Sequence, residues 1–278
     1  MLSLFLAVAS GLLVGISLGL TGSGGSLFAI PLLLFLIGMD MSNAVPISML
    51  VVGATALIGA VSAFQHKLLL SRPTLIFGIA GMLAAPLGLM VGEFTSESLR
   101  VSSFSVLAIV IALRMGWQSL HTESTQIVRA DLTLDGATGV CRFSPEGQMR
   151  FTLPCAVALG VSGAIVGILS GFFGVGGGFL IVPALMYVIR MDMPYAVGSS
   201  LAIIAMIGLS GGAVAGLPIL LEQPVALMFC IGSLLGMLMG RSVASKIVGP
   251  RLHQLFALAL FITGVVMASQ LLGVTYDL

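Results

Sequence analysis

Apolar residues run in long unbroken stretches through almost the whole chain, and polar positions collect in the gaps between them. Ten stretches stand out, at about 2–20, 24–38, 43–65, 73–92, 99–118, 153–171, 176–190, 194–216, 223–241 and 252–273. They are continuous rather than alternating, which predicts helices and not the strands of a membrane barrel. Eight are about 19 residues or longer, enough to cross a hydrocarbon core of ~30 Å as helix. The second and seventh are shorter, about 15 residues or ~22 Å. Each of these follows a glycine cluster and contains a proline, Pro31 or Pro183, so they are either tilted spans or half-length, re-entrant pieces.

Composition turns this pattern into a class. The 278 residues are 58% hydrophobic and only 8% charged, with a mean hydropathy of +1.19, whereas soluble domains carry roughly 25% charged residues. Unpaired backbone is costly in lipid, so the expected fold is an all-α polytopic bundle, with the lipid bilayer as its first partner. The net charge of +1 says little, but the positions of the charges say more. If the segments alternate across the membrane, one side receives Lys67, Arg72, Arg114, Arg129, Arg142, Arg150, Arg190, Arg241, Lys246 and Arg251, and the other only Arg100. The positive-inside rule then puts both termini outside and the polar 119–152 stretch in the cytoplasm. The first segment has no Lys or Arg before it, which favours a retained helix over a cleaved signal peptide. Asp135-Gly136 is a turn signal that predicts a short hairpin over Thr133–Phe143.

The chain also repeats itself. Gly19-Leu-Thr-Gly-Ser-Gly-Gly-Ser-Leu-Phe-Ala-Ile-Pro31 returns as Gly171-Phe-Phe-Gly-Val-Gly-Gly-Gly-Phe-Leu-Ile-Val-Pro183, and positions 19–48 match 171–200 identically at 13 of 30 places. The division is a first membrane repeat over 1–118, a cytoplasmic linker over 119–152 and a second membrane repeat over 153–278. Each repeat holds about five helical segments. Five is odd, so the second copy enters from the opposite face and the two repeats have inverted topology.

The glycine turns are the candidate chemistry. A helix that begins just after such a turn points its free N–H groups, and the positive end of its dipole, back at the turn. Successive glycine amides also make anion-binding concavities. Two turns meeting near the membrane midplane would offer backbone donors from Gly22, Gly24 and Gly25 and from Gly174, Val175, Gly176, Gly177 and Gly178, with hydroxyls from Thr21, Ser23 and Ser26 in the first copy only. Such a site suits a small oxyanion better than a cation. Glycines at this spacing also let helices pack closely, and that alternative stands beside the binding one. Ser48, Thr55 and Ser62 share one face of the third segment, and Ser199, Ser200 and Ser210 lie on its counterpart. These stripes suit helix contacts, but Ser48 and Ser200 are equivalent and both keep the hydroxyl, which makes them, with Ser199, candidates for the ligand. Asp40 and Asp192 precede helices in identical Met-Asp-Met contexts, where capping explains them.

Other chemistry has no residues to carry it. No acidic or basic side chain falls in the middle of an apolar segment, so no carboxylate proton relay is visible. There is no Ser/His/Asp set and no His-Glu-x-x-His, hence no enzyme and no metal or other cofactor is expected. Cys155 and Cys230 lie in apolar runs and are expected to act as small hydrophobes. No nucleic-acid partner is expected, and a homodimer is compatible with so small a bundle.

The paired glycine turns, each leading into a short proline-containing segment and then Met-Asp-Met-x-x-Ala-Val-x-x-Ser, resemble those of the TauE/SafE family of sulfite and organosulfonate exporters. The resemblance covers nearly the whole chain apart from 119–152. It implies a bacterial inner-membrane transporter of small sulfur-containing anions such as sulfite, sulfonates or thiosulfate, working as an exporter by alternating access. The alternatives are a transporter or channel for another small solute or metal ion, and a membrane assembly factor without flux.

Overall fold

The computed structural model describes residues 2–22, 25–121, 142–143, 149–150, 153–189, 193–244 and 265. Among them nine helices follow one another: α1 (Leu2–Thr21), α2 (Ser26–Phe35), α3 (Met41–Gln65), α4 (Ser71–Glu93), α5 (Glu97–His121), α6 (Leu153–Phe173), α7 (Gly178–Ile189), α8 (Met193–Glu222) and α9 (Pro224–Ala244). They correspond in order to the first nine apolar segments; the tenth lies outside the described residues except for Val265. Helices α1, α3, α4, α6, α8 and α9 are each long and apolar enough to cross a membrane. Helices α2 and α7 have 10 and 12 residues, about 15 and 18 Å of rise, roughly half of the hydrocarbon thickness. Of the two options open for the short segments, their length therefore favours half-length pieces.

One local expectation meets a different outcome. Asp40 occupies the position before α3 with extended backbone, and its carbonyl accepts the amides of Asn43 and Ala44 at 3.1 and 2.9 Å. Its carboxylate makes no capping bond; the side chain is exposed and keeps its hydration instead. Asp192 lies outside the described residues. The hairpin expected over Thr133–Phe143 lies outside the described residues except for Arg142 and Phe143. Strand β1 (Arg142–Phe143) pairs antiparallel with β2 (Met149–Arg150), Phe143 opposite Met149.

The interior is built around α3 and α8. Of their spanning windows 78% and 67% is buried, against 33–39% for α1, α4, α6 and α9. They cross where Gly53 meets Gly208. A Cβ on Gly53 would stand 2.8 Å from the Gly208 carbonyl carbon, and one on Gly208 2.7 Å from the Gly53 Cα. Around this pair, α1 lies along α9 and α4 along α6. In lipid no hydrophobic force presses helices together, so close contact relies on small residues that let backbones meet. Gly11, Gly15 and Gly19 of α1 supply that face against α9, and Gly232, Gly236 and Gly240 return it. Gly163, Gly167 and Gly171 of α6 do the same against α4, where a Cβ would run into the backbone of Phe77, Gly81 and Ala85. The opposite face of α6, with Val157, Val161 and Ile165, is exposed, as a lipid-facing stripe would be.

Shifting residue numbers by the 152 that separate Gly19 from Gly171 turns α1, α2, α3 and α4 into α6, α7, α8 and α9. The same shift turns α1–α9 packing into α6–α4 packing, and α2–α3 packing into α7–α8 packing. Each half therefore completes itself on helices of the other.

Candidate functional site

Helices α1 and α6 stop at equivalent glycines. Gly22 and Gly174 both have φ of +70°, and their amides bond back to Leu18 and Ser170 carbonyls at 2.8 and 2.7 Å. This is the left-handed cap that glycine allows without a Cβ penalty. Space makes the same demand: a Cβ on Gly174 would lie 2.7 Å from Val45 Cγ1 and 2.8 Å from Ile30 Cδ1, and one on Gly22 would fall on Val197. Val45 and Val197 are themselves equivalent positions.

The turns are held across the two halves. Ser48 on α3 donates its hydroxyl to the Gly174 carbonyl, and Ser200 on α8 donates to the Gly22 carbonyl at 3.2 Å. Both hydroxyls also reach local carbonyls at 2.8 Å, Val45 for Ser48 and Val197 for Ser200. The two serines are fully buried, and their protons point at backbone oxygen. In this conformation they clasp each turn to the opposite half's inner helix.

Beyond Gly22 and Gly174 the copies diverge. Gly25 precedes α2 in ordinary helical geometry, φ −64°, packed on the backbone of Val14 and Leu18. Its counterpart Gly177 has φ +67°, as does Gly176, so the second turn carries two consecutive left-handed glycines. Gly177 offers its carbonyl to the amides of Leu180 and Ile181 at 3.0 and 3.1 Å, opening α7. A Cβ on Gly176 would stand 3.2 Å from Val52 and 3.6 Å from Ile204, equivalent residues of α3 and α8, so the turn reaches the seam between the inner helices. Val175, Gly176, Gly177 and Gly178 are all buried, and no bond from their amides is seen among the described residues.

The remaining sequence candidates fall as follows. Thr21 donates to the Ser17 carbonyl at 2.8 Å, Ser26 is fully buried at the start of α2, and Ser23 and Gly24 lie outside the described residues. Ser199 accepts the Leu70 amide at 3.3 Å, which directs it to the α3–α4 connection and away from the turns. Thr55 pairs with Ser233 at 2.8 Å, and Arg241 donates to Ser62, so both of these stripe residues join α3 to α9. Two cavities, of about 390 and 540 Å³, open on the outer faces of α3–α4–α8 and α5–α6, and neither is lined by the turns. The described residues of the turns, Gly22, Gly25 and Gly174–Gly178, are buried in this conformation. Among the described residues no three His, Cys, Asp or Glu side chains converge on a metal-sized space. Cys230 is a free thiol, whereas Cys155, expected to be only a small hydrophobe, is disulfide-bonded.

Two residues near the second turn were not singled out as site candidates. Arg100, read from sequence only as a flanking charge, is 6% exposed. Its Nη2 donates to the Phe172 carbonyl at 3.1 Å, and its Cζ lies 5.9 Å from the Phe172 ring centre. A cation at the last turn of α6 complements the helix dipole there, and Gly92 makes room for it, since a Cβ would come within 3.1 Å of the guanidinium. The other is Ser170, 1% exposed, whose hydroxyl oxygen has no hydrogen-bond partner among the described residues. It lies 3.5 Å from where a Cβ on Gly177 would be.

Comparison with known proteins adds a family to this geometry. A family model described as sulfite exporter TauE/SafE matches residues 7–267. A probable membrane transporter protein of Xylella fastidiosa (strain 9a5c) is 30% identical over 246 residues, covering 88% of this chain and 86% of its own. The probable membrane transporter protein YunE of Bacillus subtilis (strain 168) is 30% identical over 223 residues, 76% of this chain and 77% of its own. No solved structure matches.

Proposed function

The chain belongs to the sulfite exporter TauE/SafE family, and on that premise we propose that it moves small sulfur-containing oxyanions out of a bacterial cytoplasm. It is a multi-pass membrane transporter and not an enzyme. The observation that carries the substrate reading is the pair of glycine turns at Gly22–Ser26 and Gly174–Gly178. Each precedes a half-length apolar helix, and each is held by a serine of the other half. Helix N-termini and glycine amides supply partial positive charge without a formal charge, which favours a small anion that must also be released. Arg100 adds a buried positive charge beside the second turn.

The two repeats, 1–118 and 153–278 about the 119–152 linker, are inverted in this reading. Its support is the exchange of packing partners between halves together with the one-sided distribution of basic residues. Rocking of one half against the other about the α3–α8 seam would alternate access to the turns, whose described residues are buried here. The membrane potential contributes about 2.3 kcal/mol per charge per 100 mV to export of an anion, so no coupling ion is required.

The test is flux. Purified protein in liposomes under an imposed potential is expected to carry labelled sulfite, thiosulfate or an organosulfonate with saturable kinetics, faster when the interior is negative and the anion leaves. Lack of saturable flux for all of them would overturn the substrate class. Orientation needs its own measurement, because a disulfide at Cys155, at the α6 end assigned to the cytoplasm, is unusual in a reducing compartment. Single cysteines placed in 119–152 are expected to react only with reagent that has reached the cytoplasm. Labelling from outside would reverse the direction assigned to every helix.

A further inference from the structure

The two turns are equivalent in sequence but not in what surrounds them, and the difference has a chemical direction. On the first-half side the position facing Gly25 is Leu18, fully buried, and a Cβ on Gly25 would meet the backbone of Leu18 itself. At the equivalent place in the second half stands Ser170, 1% exposed and with its hydroxyl oxygen unpartnered among the described residues; its Cβ and Oγ lie 3.2 and 3.5 Å from a Cβ built on Gly177. A serine inside a helix ordinarily returns its proton to a carbonyl three or four residues back, as Ser48 does to Val45 and Ser105 to Val101. Ser170 makes no such bond. Its proton stays available beside the left-handed Gly177, which immediately precedes α7, and two residues before the carbonyl held by Arg100.

We propose that the transported oxyanion is received by the second turn, and that Ser170 is the side-chain donor that binds it, alongside the amides of Gly176–Gly178. The inference rests on the anion reading above and goes beyond it by making the site one-sided. Leu18 removes the equivalent donor from the first turn, so the approximate two-fold symmetry of the fold does not extend to the ligand. The chemistry selected is a compact anion with bare oxygens as acceptors. Sulfite and thiosulfate meet that description, and chloride gains less from a directional hydroxyl.

Ser170→Ala in the full-length protein tests this with two readouts. In liposomes the KM for sulfite is expected to rise about 10- to 100-fold, the loss of one hydrogen bond to a charged group. Without anion, the thermal midpoint of the variant in detergent is expected to equal or exceed that of the parent protein, because a buried hydroxyl without a partner opposes folding. Ser10→Ala, which removes a buried hydroxyl bonded to the Ala7 carbonyl on α1, is the control and should leave KM unchanged. If the parent protein carries sulfite and Ser170→Ala keeps its KM, the one-sided site is wrong while the transport reading stands. A midpoint lowered by several degrees without anion would give the hydroxyl a structural partner and also overturn the proposal. If the parent protein carries none of the sulfur oxyanions, both readings fall together.

Discussion

Gly15→Leu is expected to leave almost no assembled protein, whereas Gly160→Leu, on the neighbouring repeat, should behave like the parent. A side chain at Gly15 would begin on the Ser233 carbonyl oxygen, with the Met237 amide nitrogen only 2.7 Å away. Those are backbone atoms of a helix that cannot yield locally. To admit four more carbons α1 must move away from α9, which would part Gly11 and Gly19 from Phe229 and Arg241 at the same time. Overpacking of a rigid contact costs about 1–3 kcal/mol even where neighbours can shift; separating an entire glycine seam exceeds that, since lipid offers no compensating force. Gly160 has nothing within 4 Å of its built Cβ. Monodisperse yield by size exclusion and the thermal midpoint decide the matter. Equal yields for the two variants would mean that the α1–α9 seam is not what holds the bundle.

That contrast also shows which parts of the fold could be read without coordinates. The existence of the first nine helices followed from apolar run length, because in lipid a continuous run has one available structure. The half-length nature of α2 and α7 was visible only as an ambiguity, which their 10 and 12 residues narrow. Helix partners were hidden. The four-residue spacing of Gly11, Gly15 and Gly19 marks a contact face, but its partner α9 begins more than 200 residues later at Pro224, and spacing says nothing about which stripe meets which.

The candidate site divides in the same way. Ser48 and Ser200 drew attention because both copies keep a hydroxyl at one position, and the geometry supplies a reason for the duplication: each holds the other half's turn. Ser170 could not be found by that logic. Its counterpart is Leu18, so comparing the repeats hides it, and a lone serine in an apolar helix ordinarily bonds its own backbone. Arg100 was legible as a charge, but its burial depended on Gly92 leaving space from a different helix. Residues that distinguish the two halves are those a repeat obscures, and they surround the second turn.

The clasp makes the last and most specific prediction. Ser48→Ala and Ser200→Ala are expected to lower stability by similar amounts, about 1–3 kcal/mol each, because each strips a donor from a buried glycine carbonyl. The proteins should still fold, since the alanine methyl fits within the space the serine side chain already fills. In the double variant both turns lose their tie to the opposite half, and a loss of about 2–6 kcal/mol follows if the two bonds act independently. A smaller loss would mean that breaking the first bond already frees the second, so that the bonds open together as one joint between the halves. Thermal or denaturant melts of the four proteins in detergent give the cycle directly. A strong effect at Ser48 with none at Ser200 would contradict the reciprocal arrangement, because the two bonds join equivalent atoms, Ser48 to Gly174 and Ser200 to Gly22. Rocking between halves must lengthen both of these bonds or carry each turn along with its clasping helix. Flux in the single variants separates those motions: faster turnover with unchanged KM identifies the clasp as part of the barrier, and unchanged turnover means that turn and helix move as one body.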